Sequence, residues 1–342
     1  MLTFTERTKL LCETAAPSGF EERIAKVIRQ ELMHFTGEVI TDTFGNMIYA
    51  HSSRKKRAKR LMLTAHMDEI GFMVEHIEKN GLLQFVKLGM IDDGVLSGQG
   101  VKVLGHEDIP GIIGTIPPHI KAAVQKTEPF IDAGFSSTEE ATRAGVRVGT
   151  PVVFDRPFCE WPSKGMAMGK ALDDRVGCAI LIEVIHRLSQ SPTEGELYAV
   201  FTVQEEVGLR GSRVAAEKVK PDLAITLDMV PAFPTEKSRV DISQGPVLRL
   251  LEQEGWNGLI AFREVTSLIE DSAKGVGVPL QLLVRASGMT DASAIHRTYQ
   301  GIPACSFEVP LRYEHSPLEL MKWDDAFKAI EVLVEVCRRS IG

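Results

Sequence analysis

The feature that most limits how this chain can fold is a set of short apolar runs that each end in an acid or a histidine. LMLTAH ends at His66, LYAVFTV runs into Glu205 and Glu206, and LAITLD ends at Asp228, while Asp173 and His315 lie in the loop-like segments GKALDD and RYEHSP. Short apolar runs bounded in this way read as buried strands. In an α/β sheet, ligands bind in the crevice beyond the carboxyl ends of such strands. His66, Asp173, Glu206, Asp228 and His315 all fall at that address. Three carboxylates and two imidazoles meeting there suit two divalent metals. One carboxylate is then shared, because five monodentate side chains and water do not fill two separate coordination shells. The pattern is that of a two-metal hydrolase.

The bulk properties narrow the setting. A chain of 342 residues is long enough for two domains. A formal charge of -7 argues against nucleic acid as the main partner. MLTFTERTKLLCETAAPSG has no basic start followed by an apolar stretch, so it does not read as a secretory signal. No window approaches the ~20 apolar residues of a membrane span. Five widely spaced cysteines without a CxxC pair point to reduced thiols and a cytoplasmic protein. Cys178, inside VGCAILIEVI, reads as a packed helix residue before it reads as a ligand or nucleophile.

Along the chain the texture changes twice. The start is amphipathic and helical. Ser18 and Glu21 have capping-box spacing, and Ile24, Val27, Ile28 and Leu32 follow at helical intervals. EVITDTFGNMIYA predicts a hairpin turning at Phe44-Gly45-Asn46. The basic run from Arg54 to Arg60 reads as a solvated turn. From Gly71 to about Trp161, short apolar runs broken by Gly and Pro predict a small β-barrel or sandwich, with one short helix in STEEATRAG. Beyond Gly165, helices and strands alternate again. Helices are expected at Val176–Leu188, Ser212–Lys218, Leu259–Lys274 and Trp323–Arg338, with strands LYAVFTV, LAITLD, PLQLLV and ACSFEV between them. The fold class expected is α/β, a mainly parallel sheet with helices on both faces and an inserted small β-barrel. Residues 1–70 and 163–342 would form one discontinuous α/β domain, and 71–162 the insert.

Each candidate has an ordinary reading beside the chemical one. His66 and Asp68 are two apart on extended chain and point the same way, so the carboxylate can steady a metal-bound imidazole; HxD also occurs often by chance. The adjacent Asp173 and Asp174 repel, which either a dication or a helix N-terminus with Lys170 and Arg175 would relieve. Glu205 and Glu206 face opposite ways, so one can address a metal and the other a water; strand-end acids are also commonly just solvated. Asp228 needs a partner after its apolar strand, if only a buried hydrogen bond. A loop histidine such as His315 is ordinary by itself. What joins the five is the shared address. His51, His76, His106, His119, His186 and His296 lack it and read as structural or exposed.

The order AHMDEIGFMV, GKALDDRVGC, QEEVGLRGS, LDM, GMTDASAIH and RYEHSP, with IPGIIGTIPPHI in the insert, resembles the glutamyl and deblocking aminopeptidases that assemble as tetrahedral dodecamers. The resemblance covers essentially the whole chain. It implies a zinc-peptidase-like domain with a PDZ-like dimerisation insert, acting on short peptides as a homo-oligomer. By motif, His66 and Asp228 would bind one metal, Glu206 and His315 the other, and Asp173 would bridge. The glycine four residues after the bridging acid, Gly177, selects Asp173 over Asp174, and a cis peptide between those two acids is implied. Glu205 resembles the general base and Asp68 the acid that orients His66. Zinc and cobalt are the implied metals, with manganese also compatible. Thr290 and Asp291 are expected on the substrate side, near the junction with the insert. Met289 stands where relatives often have a second glycine, which bears on pocket shape. The expected activity is release of N-terminal residues from peptides. Another metal-dependent amide hydrolase, such as a deacylase, is the nearest rival. A glycosidase using a carboxylate pair is the more distant one. A peptide-binding protein with a decayed site would not need all five ligands and both accessory acids, which are intact here.

Overall fold

Helices α1 (Phe4–Glu13) and α2 (Glu22–Leu32) lead into the hairpin β1 (Glu38–Thr41) and β2 (Met47–His51), then into β3 (Arg60–His66). A β-rich stretch follows: β4 (Gly71–Ile77), β5 (Leu83–Leu88), β6 (Gly100–Leu104), β7 (Asp108–Ile113), β8 (Phe130–Asp132), the short α3 (Thr138–Arg143) and β9 (Pro151–Phe154). The chain returns through β10 (Cys159–Trp161) and β11 (Met166–Gly169) to α4 (Leu172–Ser189), β12 (Glu196–Thr202), α5 (Arg210–Val219) and β13 (Leu223–Pro231). It ends with β14 (Val247–Glu254), β15 (Asn257–Ile260), α6 (Arg263–Val276), β16 (Gln281–Val284), α7 (Asp291–Ile295), β17 (Ala304–Arg312), β18 (Glu319–Lys322) and α8 (Trp323–Ile341). This computed structural model describes residues 1–51, 58–115, 128–190, 195–235 and 238–341. Most of the basic run at Arg54–Arg60, His119 and the end of IPGIIGTIPPHI lie outside them.

The fold class is α/β. One twelve-stranded sheet is ordered β1-β2-β12-β3-β13-β17-β18-β11-β10, with β14, β15 and β16 branching beside β17. Parallel pairing is concentrated in its centre, where β12, β3, β13 and β17 run together, and antiparallel strands flank them. These four strands are apolar on both sides, as a strand covered by helices on both faces must be. On β3 the alternation is visible residue by residue. Leu61, Leu63 and Ala65 pack into the large cluster under α1, α2, α4, α6 and α8, while Met62 packs into the opposite cluster with α5 and α7.

The β-rich stretch closes into a barrel, β4-β5-β8-β7-β6-β9. Phe72, Val74, Leu83, Val101, Val103, Ile113, Ile131, Val152 and Phe154 fill it. Phe72 stacks edge-on against Phe85 and Phe154 at 4.8 and 5.1 Å between centroids. β10 already belongs to the large sheet, pairing with β11.

Two local expectations are corrected. Ser18 and Glu21 do not form a capping box: Glu21 itself is the residue before α2, without a side-chain cap. The Ser18 hydroxyl instead donates to Asp68 Oδ2 at 2.6 Å, and Glu21 accepts from the Gly19 and Gln204 amides. The helix expected from Leu259 begins at Arg263, because Asn257–Ile260 pairs as β15 with β14, an arm that the helical spacing in this region concealed.

A buried ion cluster fixes the passage from sheet to barrel. Glu69, 2% exposed, accepts from Lys170 Nζ at 2.5 Å and from the Ala16 amide at 2.9 Å, with Arg175 Nη2 at 3.5 Å. Arg175 also donates to the carbonyls of Leu11, Thr14 and Ala16. Lys170 and Arg175 are thus committed to Glu69, not to relieving Asp173 and Asp174. Burial pulls the Lys170 ammonium below its ordinary pKa, with the Glu69 charge opposing that pull. Removing one partner of such a cluster strands a buried charge. Glu69→Ala should therefore cost roughly 3–5 kcal/mol by denaturant unfolding. A loss below about 1 kcal/mol, the scale of an exposed ion pair, would contradict the assignment.

Candidate active site

The site begins where the central strands part. β3 and β13 pair only as far as Thr64 and Thr226, whose hydroxyls bond at 2.9 Å. Two residues further along each strand, His66 and Asp228 face the opening between them. β12 ends opposite His66 at Thr202, and its turn carries Glu205 and Glu206 into the same space. The α4 junction supplies Asp173, and the β17–β18 connection supplies His315.

The distances define two overlapping groups. His66 Nε2 is 3.0 Å from Asp173 Oδ1 and 3.9 Å from Asp228 Oδ1. His315 Nε2 is 3.5 Å from Asp173 Oδ2 and 3.2 Å from Glu206 Oε2. Donor atoms of His66, Asp173 and Asp228 lie within 4.8 Å of one another, as do those of Asp173, Glu206 and His315. Asp173 belongs to both groups and turns a different oxygen to each. Among the described residues no other histidine joins either group. His296 sits at the end of α7 with Nδ1 against the Ala292 carbonyl, and burial lowers its pKa.

The charge balance is lopsided. Burial acts against the Asp173 carboxylate, yet hydrogen bonds from His315 and His66 hold it below its usual range. Burial, then the charges of Asp173 and Glu205, push Asp228 well above the ordinary carboxylate range. Burial raises Glu206, and raises Glu205 strongly. Burial would lower both imidazoles, but the surrounding carboxylates raise them. Three crowded carboxylates and two imidazoles, all aimed into one space, form a donor set that fits divalent cations by number and type.

A frame holds these groups. Asp68 accepts from Ser18, from the Glu205 amide at 3.0 Å and from the Glu206 amide at 3.3 Å, and its Oδ1 lies 3.5 Å from His66 Nδ1. It therefore fixes the Glu205–Glu206 turn as well as facing His66. Asp174 turns away from the cavity and accepts from the amides of His66 and Gly177. The Asp173–Asp174 peptide is cis, as the resemblance implied. Cys178 is buried and donates to the His66 carbonyl, and burial raises its thiol pKa well above normal. It is a packed helix residue. Spacing offered no route to Ser18 or to Glu319, a buried β18 residue whose carboxylate accepts from the amides of Asp173 and His315.

A cavity of about 450 Å³ opens in front of the two groups. Its far wall includes Arg285, Ser287, Met289 and Thr290. Met90, from the barrel stretch, also lines it, and a Cβ on the neighbouring Gly89 would come within 3.2 Å of Glu206 Oε2. Thr290 lines the cavity as expected. Asp291 does not: it is 1% exposed and accepts from the Thr202 hydroxyl at 2.6 Å, because it starts α7 beneath the site.

Comparison with known proteins gives this arrangement a class. The family model described as M42 glutamyl aminopeptidase matches residues 45–332. The lysyl aminopeptidase of Pyrococcus furiosus is 31% identical over 341 residues, spanning 96% of this chain and 94% of its own. The crystal structure of a TET aminopeptidase from a marine sediment archaeon of the Thaumarchaeota matches with a TM-score of 0.92 at 33% identity, over 98% of this chain and 96% of that one. The TET1 peptidase of Pyrococcus horikoshii, which can assemble into a tetrahedron or a large octahedral shell, matches at 0.87 and 31% identity over 98% and 99%. Fold and relatives together define a hydrolase of peptide bonds. The chain belongs to the M42 aminopeptidase family, whose members are metallopeptidases.

Gly177 offers a sharp test of the frame. An added Cβ would lie 2.3 Å from Asp174 Oδ1. At an unconstrained helix position Gly→Ala stabilises by up to about 1 kcal/mol. Here the sign should reverse, and Gly177→Ala should lower stability by roughly 1–3 kcal/mol in denaturant unfolding. An unchanged or raised midpoint would show that Asp174 is not held as described.

Proposed function

We propose that the protein is a dinuclear metal-dependent aminopeptidase that removes N-terminal residues from short peptides. The observation that carries this reading is Asp173, whose two carboxylate oxygens face two separate donor groups. His66 and Asp228 would hold one cation, Glu206 and His315 the other, and Asp173 would be shared. Bound there, divalent ions supply Lewis acidity, lowering the pKa of water and drawing charge from the scissile carbonyl. Glu205, buried at the cavity wall and not needed as a ligand, takes the proton of the attacking water and returns it to the leaving amine. Asp68 keeps His66 in orientation and fixes the turn that presents Glu205. Zinc or cobalt fits this mixture of imidazole and carboxylate, and manganese is compatible with it.

The same reading makes the barrel within residues 71–162 a dimerisation insert in a catalytic domain formed by 1–70 and 163–342, to whose sheet β10 at the end of the insert is joined. Dimers would assemble into a tetrahedral dodecamer; the assembly of the Pyrococcus horikoshii relative supports this. A cytoplasmic setting agrees with five free cysteines. Among the described residues no helix is long and apolar enough to cross a membrane.

The decisive assay uses metal-stripped protein, each divalent ion restored in turn, and a panel of aminoacyl-chromogenic substrates beside their N-acylated forms. Activity should vanish on stripping, return with zinc, cobalt or manganese, and require a free amino terminus. Preference for N-acylated substrates would favour a deacylase. Activity on polysaccharide that survives a chelator would favour a glycosidase.

Glu205→Gln keeps the shape of the side chain but loses the base. It should bind metal and unfold like the parent while kcat falls by roughly 10²–10⁴. Near-normal turnover would remove Glu205 from this role.

A further inference from the structure

Glu319 is buried at the start of β18, 2% exposed, and neither a family motif nor the carboxyl end of an apolar strand marks it. Its two oxygens do different work. Oε2 accepts from the Asp173 amide at 3.2 Å, and Oε1 accepts from the His315 amide at 3.1 Å. These two amides are 142 residues apart in sequence, so the carboxylate is a hydrogen-bonded tie between two segments far apart along the chain. The register explains how it reaches both. β18 pairs antiparallel with β11, placing Glu319 opposite Gly169, four residues before Asp173. On its other side, Glu319 follows the turn in which Tyr313 and His315 both adopt positive φ, 63° and 57°. For non-glycine residues that conformation persists only where the surroundings impose it. The hydrogen bond from the His315 amide to Glu319 is one such restraint.

We propose that Glu319 is a positioning residue that sets the spacing of Asp173 and His315, and so assembles one of the two metal positions more than the other. The position affected is the one formed by Asp173, Glu206 and His315. The partner position shares Asp173 but takes its other two ligands, His66 on β3 and Asp228 on β13, from backbones that Glu319 does not touch, so it loses one restraint where the first loses two. The proposal rests on reading these five side chains as metal ligands. Supporting residues of this kind commonly change metal affinity by about 10–100-fold when altered. Glutamine at this position is isosteric but has one acceptor oxygen, and its amide nitrogen would face an N–H where the second oxygen was.

The test is a metal titration of stripped full-length protein with zinc alone, monitored by competition with a chromophoric chelator, for the parent, Glu319→Gln and the control Glu31→Gln. Glu31 is a buried carboxylate paired with Arg7, away from the cavity, so it reports the general effect of losing a buried charge. The parent should take up two equivalents. In Glu319→Gln one equivalent should weaken at least tenfold while the other stays within about threefold of the parent, and Glu31→Gln should leave both unchanged. Equal weakening of both equivalents, or an unaltered titration, would overturn the proposal while leaving the dinuclear reading intact. A parent that takes up no zinc would overturn the dinuclear reading and this proposal with it. If Glu319→Gln does not fold, amide hydrogen exchange on the metal-free parent decides. The Asp173 and His315 amides should both be protected, and rapid exchange at either would overturn the tie.

Discussion

Buried negative charge is the constraint around which this molecule is arranged. Asp68, Asp173, Asp174, Glu205 and Asp228 are all less than a tenth exposed, and so is the Glu206 side chain. An unpaired carboxylate in such surroundings costs several kcal/mol, so each must find donors. The fold provides them unevenly. Asp68 has a hydroxyl and two amides, and Asp174 has two amides. Asp173, Glu206 and Asp228 have the two imidazoles, and Asp228 also has the Met229 amide at 2.7 Å. The charge left over is concentrated at one spot, facing a cavity, where cations suited to oxygen and nitrogen donors would relieve it.

The sheet explains why the spot lies there. Parallel strands all deliver their carboxyl ends to the same edge, and β3 and β13 separate after Thr64 and Thr226. The chain leaves the sheet at this edge to build the barrel, then returns through β11 and α4 with Asp173. An insertion at this point costs the catalytic frame little, because both ends of the barrel stretch are anchored beside it: Glu69 to Lys170 and Arg175 on one side, and the β10–β11 pairing on the other. The barrel in turn brings Gly89 against Glu206 and Met90 to the cavity wall.

How much of this is legible in the sequence depends on the range of the interaction. His66 and Asp228 are readable because a polar residue ending an apolar run is a local pattern with a defined structural address. The barrel is readable because Gly and Pro punctuate short strands within a few residues. β14 and β15 are not: the helix expected from Leu259 takes in the end of β15, nothing local marks β14, and only pairing between the two strands decides otherwise. Ser18 and Glu21 show the same limit from the other side. Their spacing satisfies a local motif, but Asp68 and the Gln204 amide, distant in sequence, compete for both side chains and win. Glu319 lies in an unremarkable strand, and its partners are known only once the segments meet.

Paired acids recur at this edge: Asp68-Glu69, Asp173-Asp174 and Glu205-Glu206. In each pair the two side chains make different contacts. In the first, Asp68 serves the site and Glu69 serves the Lys170–Arg175 cluster. In the second, Asp173 joins both donor groups while Asp174 turns back to accept two amides. In the third, Glu206 meets His315, and Glu205 is left at the cavity wall without an ion partner among the described residues. Two pairs thus couple one acid that serves the site to one that holds the frame, so a change in the second displaces the first through the shared backbone. The third pair is different in kind. Both its members face the cavity, and the backbone beneath them is held by a carboxylate from the first pair, Asp68. The geometry of the proposed base therefore depends on the strand that carries His66 as much as on its own.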